Sequence, residues 1–149
     1  MTNTTLEQFI HSIFIEIEKQ IPAYQNSQED WNISQGNVAV CIVTEDGKVF
    51  GKLYGDDKVK GRQYYTVAWK KASQVWITGY KTGEYEKIVF GGTMDPEDSP
   101  IPLPELMGWI GGQPIKLDEE TTISVGFSGF RGHNDLKIVE IAVERARKN

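Results

Sequence analysis

The stretch SGFRGHNDL, residues 128–136, sets Arg131, His133 and Asp135 among Gly129 and Gly132. Glycines keep backbone amides accessible, and a helix starting just beyond them offers unpaired N–H groups that hold a carboxylate or phosphate. Arg131 suits bidentate pairing with the same anion. A second reading needs no ligand: Asn134 or Asp135 simply caps the helix, a role favoured for Asp135 because its charge repels an anion. His133 can serve as a metal ligand or a proton-transfer group, or stand in solvent with no role. The other imidazole, His11, lies on the flank of an N-terminal helix. No two histidines share metal-ligand spacing, so an all-protein structural metal site is not expected.

Gly111 and Gly112 follow a proline-rich segment and precede a strand. They either admit close backbone approach to a ligand or only turn the chain into the sheet. Tyr64, Tyr65, Trp69, Trp76 and Trp109 are positioned to line a flat apolar pocket or to fill the core. Met94 and Met107 offer soft ligation or packing. Nucleophilic catalysis has little support. Cys41 sits in an apolar strand run, Ser128 lacks the Gly-x-Ser-x-Gly elbow, and neither a P-loop nor a dinucleotide fingerprint occurs.

Several elements must position these residues. Leu6, Phe9, Ile10, Ile13, Phe14, Ile17 and Ile21 recur at helical spacing and predict an amphipathic helix over 5–21, with Ile15 facing outward. Residues 22–37 read as a polar loop. Apolar runs at 38–43 and 49–54 flank an Asp-Gly turn and predict a hairpin. A second helix is expected over 62–78, with Tyr65, Ala68, Trp69, Ala72, Val75 and Trp76 at helical spacing. Pro96, Pro100, Pro102 and Pro104 make 91–108 an ordered loop or lid. A second hairpin is expected at 112–117 and 121–127, and a last helix at 134–147. Hairpins imply antiparallel pairing. The expected fold class is therefore α+β, a single domain over 1–149 with an antiparallel sheet packed with helices.

Bulk properties narrow the function classes. The 149 residues suit one domain, and 39% hydrophobic with 25% charged residues suits a globular core. A net charge of −5 without a dense basic cluster argues against nucleic acid as a partner. No apolar run is long enough to span a membrane. One cysteine and a start without a leader-like pattern fit a cytoplasmic location.

Three local patterns resemble the GlcG/HbpS-like family, which includes the C-terminal domains of PduO-type proteins. They are NVAVCIVTEDGKVF, AWKKASQV with its Lys71-Ala72 pair, and the stretch from Gly111 to Ala146. In the last, Gly111-Gly112-Gln113-Pro114-Ile115 matches Gly-Gly-x-Pro-Ile/Val. Gly126-Phe127-Ser128-Gly129 is similar to Gly-Val-Ser-Gly, with Phe127 in place of valine, and Asp135 falls on the aspartate before the last helix. The resemblance covers about residues 38–147.

It implies a profilin-like α/β sandwich with an antiparallel sheet of about five strands, commonly a symmetric homo-oligomer, with some relatives binding haem or linked to its degradation. Carried onto this chain, it points to a small-molecule ligand, haem or another tetrapyrrole, as cofactor. The candidate ligand-binding residues are Gly111, Gly112, Pro114, Gly129, Arg131, Gly132, His133, Asp135, Tyr65, Trp69 and Lys71, with His133 the candidate ligand to haem iron. Two other readings stay open. One is a non-catalytic oligomeric accessory protein, suggested by Ile15 and the aromatic second helix. The other is an enzyme acting on a small organic acid or carbonyl compound, with Lys71 or Asp135 as base.

Overall fold

The computed structural model describes residues 1–149. Its elements run α1 (Asn3–Gln20), a 3-10 turn (Ile21–Asn26), α2 (Gln28–Ser34), β1 (Val38–Thr44), β2 (Val49–Tyr54), α3 (Lys58–Thr78) and α4 (Thr82–Phe90). Two short 3-10 turns follow, then β3 (Gly112–Lys116), β4 (Thr122–Ser128) and α5 (Gly132–Arg147). The sheet has four strands in the order β2-β1-β4-β3, every pair antiparallel. No helix is long and apolar enough to cross a membrane.

The two faces of the sheet are built differently. Val38, Val40 and Ile42 of β1 join Ile123, Val125 and Phe127 of β4 in the main core, beneath α1 and α5. The alternate residues of β1, Ala39, Cys41 and Val43, pack with Ala68 and Ala72 of α3 on the other face. Both faces of β1 are covered, so its seven residues are all buried despite the period-2 alternation. Small side chains on the second face let α3 lie close to the sheet. The tightest point is Gly126, where a Cβ would collide with the Ala68 carbonyl oxygen and approach the Ala72 nitrogen to 2.7 Å. Gly126→Ala should therefore cost about 1–3 kcal/mol through overpacking against backbone that cannot rotate away. Urea denaturation tests this: an unchanged midpoint would mean that α3 lifts off the sheet freely.

The sheet has four strands rather than the expected five or so, because the two hairpins supply every strand and no further segment pairs with either edge. Four further differences from the sequence-based expectation also have physical causes. Residues 22–37 form a 3-10 turn and α2 rather than a loop, because α2 is too short for periodicity and is held by distant partners of Asp30. Helix α3 starts at Lys58, where Asp57 accepts from the Val59 and Lys60 N–H groups. Helix α4, overlooked because Gly83 reads as punctuation, begins at buried Thr82. Trp69 and Trp76 face outward, 40% and 45% exposed, while Lys71 and Gln74 occupy buried positions on α3. Ile15 is exposed as expected.

Candidate functional site

Where β4 ends and α5 begins, the chain encloses an open cavity of about 470 Å³ against α3. Its walls include Tyr64 and Lys71 from α3, Trp109 and Ile110 from the segment before β3, and Phe130 and Asp135 around the start of α5. Ile33 of α2, Gly129 and Gly132 complete much of the rest.

Buried polar groups fix the Trp109 segment. The Gln74 amide donates to the Met107 carbonyl (2.8 Å) and accepts from the Met107 N–H (2.7 Å). The Thr82 hydroxyl donates to the Trp109 carbonyl (2.6 Å) and accepts from the Gly112 N–H (3.2 Å). Further back, the proline-rich segment packs Ile101 and Met94 on Tyr85 and Val89 of α4, so Met94 serves packing. Each polar group so paired escapes the penalty of burial unsatisfied.

The inner wall holds an ion pair. Lys71 Nζ donates to the Phe127 carbonyl (2.8 Å) and to Asp135 Oδ2 (3.3 Å), and both side chains are only 3% exposed. The other Asp135 oxygen accepts from the Phe130 N–H (2.9 Å). Burial pushes the Asp135 carboxyl up to about 7, against the opposing pull of Lys71 and the Phe130 N–H. Burial likewise lowers the Lys71 ammonium, and Asp135 only partly restores it. Gly111 completes the arrangement. Its φ of +134° suits glycine, and a Cβ there would lie 2.5 Å from Lys71 Nζ and 2.7 Å from the Phe127 oxygen.

A second cluster anchors α2 to α5. Asp30, fully buried, accepts from the Arg131 N–H (2.8 Å), Nε (3.2 Å) and a terminal nitrogen (3.1 Å), from Asn134 Nδ2 (2.7 Å) and from the Ser27 hydroxyl (2.6 Å). Burial opposes its ionisation, but the Arg131 side chain and backbone, with Ser27 and Asn134, hold the carboxyl well below the ordinary range.

These placements revise several expectations. Arg131 is not free for an anion, since its guanidinium is engaged by Asp30 and Glu29. Neither Asn134 nor Asp135 caps α5; the N-cap position is Arg131, without a side-chain cap bond. His133 is exposed in the first turn of α5, one residue beyond cavity-lining Gly132, and is not itself part of the wall. Gly111 presses on Lys71 rather than on the cavity, and Gly112 lines a separate cleft of about 200 Å³ with Ile110. Pro114 belongs to the edge strand β3 opposite Ser124, where a missing N–H is tolerated. Tyr65 turns to the sheet beneath Gly51 and donates to Cys41 Sγ (3.7 Å), and Trp69 lines a shallow cleft with Ile101. Burial pushes the Cys41 thiol up to about 11, which leaves it inert as expected. The wall thus contains Lys71, Gly129, Gly132 and Asp135 from the expected set, together with Tyr64 and Trp109 from the wider aromatic group. Phe130, Ile110 and Ile33 carried no sequence signal of their own; Ile33 needed α2 to be seen first.

No family model matches the sequence, and no curated protein matches it. Solved structures do. The Klebsiella pneumoniae protein ORFY, of DUF336, aligns with a TM-score of 0.70 at 15% identity, over 95% of this chain and 90% of its own. PduOC in complex with haem aligns at 0.61 and 19% identity, over 97% and 93%. HbpS aligns at 0.61 and 16%, over 91% and 86%. The chain has the GlcG/HbpS-like fold. Within this fold two of the three resembling patterns meet physically, because Gly111 makes room for Lys71 and Lys71 pairs with Asp135.

The two aspartates predict an unusual pH profile. Asp135 has a raised native pKa, so its contribution is complete below the unfolded value of 3.8 and is lost as pH rises through about 7. Asp30 has a lowered one, so its contribution is present above its unfolded value and is lost on acidification. Thermal melting should be highest between these limits, at mildly acidic pH, and decline toward neutrality. Asp135→Asn should flatten that decline. Because the lowered Lys71 pKa adds stability only on the alkaline side, the test is the difference between wild type and Asp135→Asn: one that stays constant from about pH 4 to about pH 8 would contradict the Asp135 assignment.

Proposed function

We propose that this chain is a small-ligand binding protein whose cavity takes a flat, largely apolar molecule, with haem the first candidate. The observation that carries this reading is the rim. Trp109, Ile110 and Ile33 line the cavity yet remain 67%, 49% and 42% exposed. Apolar side chains converging on a concave site are the usual signature of a small-molecule pocket. The shared fold with PduOC, solved as a haem complex, supports the choice of ligand.

The residues fit a macrocycle in part. Tyr64, Trp109, Ile110 and Phe130 suit its apolar faces. No imidazole, thiol or thioether lines the wall, which offers iron the Tyr64 phenol, while His133, one residue beyond Gly132, offers the imidazole. Titrating micromolar protein with haem should give a saturable Soret shift. Trp109→Ser with Ile110→Ser should weaken binding at least about tenfold by removing apolar contact area. His133→Ala should alter the Soret position. A flat wild-type titration would remove haem from consideration.

A second reading, self-association as a homo-oligomeric accessory protein, is favoured by Trp69, Trp76 and Ile77, all exposed on α3. Light scattering tests it: a stable oligomer disrupted by Trp76→Glu supports it, and a monomer at high concentration overturns it.

A further inference from the structure

The Lys71–Asp135 pair lies at the cavity wall and is more than a strut. Lys71 Nζ has two acceptors, Phe127 O and Asp135 Oδ2, for three hydrogens, and the residue borders the space enclosed by Tyr64, Trp109 and Phe130. We propose that Lys71 forms an imine with a small aldehyde or ketone bearing an apolar substituent, with Asp135 as its proton acceptor and donor. This goes beyond ligand binding and stands independently of haem.

The step balances within the pair and the carbonyl compound. The Lys71 ammonium passes one proton to Asp135 Oδ2 across their 3.3 Å contact. The freed amine attacks the carbonyl carbon, forming the C–N bond, and a proton moves from nitrogen to the former carbonyl oxygen. Asp135 returns its proton to that hydroxyl, which leaves as water while the nitrogen lone pair forms the C=N bond. The product is a protonated imine, one water is released, and no oxidant or reductant enters. The iminium keeps the positive charge and one N–H, so the Asp135 carboxylate still faces a cation of the same sign. A lysine whose ammonium is destabilised by burial is the form that such condensation requires. The groups facing it are Asp135 from α5, Tyr64 on its own helix, and Asp30 of α2, which acts on Asp135 at longer range.

Reductive trapping tests this on the intact wild-type chain. Benzaldehyde and cyanoborohydride at neutral pH, followed by peptide mapping, should modify Lys71 at least about tenfold faster than exposed Lys19, because a lowered pKa leaves more free amine. The lowered Lys71 pKa should show as a trapping rate that levels off at lower pH than it does for the unfolded chain. Asp135→Asn, with folding checked by circular dichroism, should slow trapping at Lys71 and leave Lys19 unchanged. Lys71 unmodified, or modified no faster than Lys19, would overturn the proposal. Trapping as fast or faster in folded Asp135→Asn, which also loses the carboxylate that raises the Lys71 pKa, would overturn the role given to Asp135.

Discussion

Asp30→Ala should lower the unfolding free energy by about 3–5 kcal/mol, the cost of removing one partner from a buried, hydrogen-bonded charge pair. The magnitude follows from what the carboxylate satisfies. Five hydrogen bonds converge on it from Ser27, Asn134 and three Arg131 nitrogens. Part of the Arg131 guanidinium reaches solvent and will rehydrate, but its backbone N–H and the Asn134 amide lose their partner inside the fold. The damage also reaches the cavity, because α2 carries Ile33 to the rim and is tied to α5 through Asp30. Asp30→Asn keeps the shape and some of the bonds, and should cost less. Guanidinium denaturation of the two variants checks the ranking. An Asp30→Ala protein as stable as wild type would show that α2 is held by something else.

Lys71→Met is expected to be comparably disruptive, by about 3 kcal/mol at neutral pH, because it leaves the Asp135 carboxyl and the Phe127 carbonyl without the ammonium they share. Protonation of Asp135 will recover some of that loss, since its carboxyl is already pushed up to about 7. The loss should therefore shrink at pH 5. The double variant Lys71→Met with Asp135→Leu removes both charges and should regain most of the stability, as replacement of a buried pair by apolar residues commonly does. A double-mutant cycle measures the coupling. Additive losses would mean that the two groups do not act as a pair.

The parts of the fold legible in the sequence were those with strong periodicity. The faces of α1, the β1–β2 hairpin and the apolar stripe of α5 follow from spacing alone. Helices α2 and α4 were not legible, because seven and nine residues span too few turns for a pattern and their anchors, Asp30 and Thr82, bond to residues far along the chain. On α3 the pattern misled for a chemical reason: Lys71 and Gln74 are buried with partners, while Trp69 and Trp76 face outward. The resemblance marked Lys71 and Asp135, but only the fold shows that 64 positions of chain close to bring them together. Arg131 misled for the converse reason. Its fork suits an anion, and the anion it meets is Asp30, in a segment whose spacing reads as loop.

Amide hydrogen exchange with and without haem addresses the binding cavity most directly. A saturable Soret shift is expected together with slowed exchange at residues 108–110, 128–130 and 132, which line the space between Trp109, Phe130 and Gly132. A bound haem that leaves those amides unchanged, or protects only α1 and the outer surface of α3, would contradict that expectation.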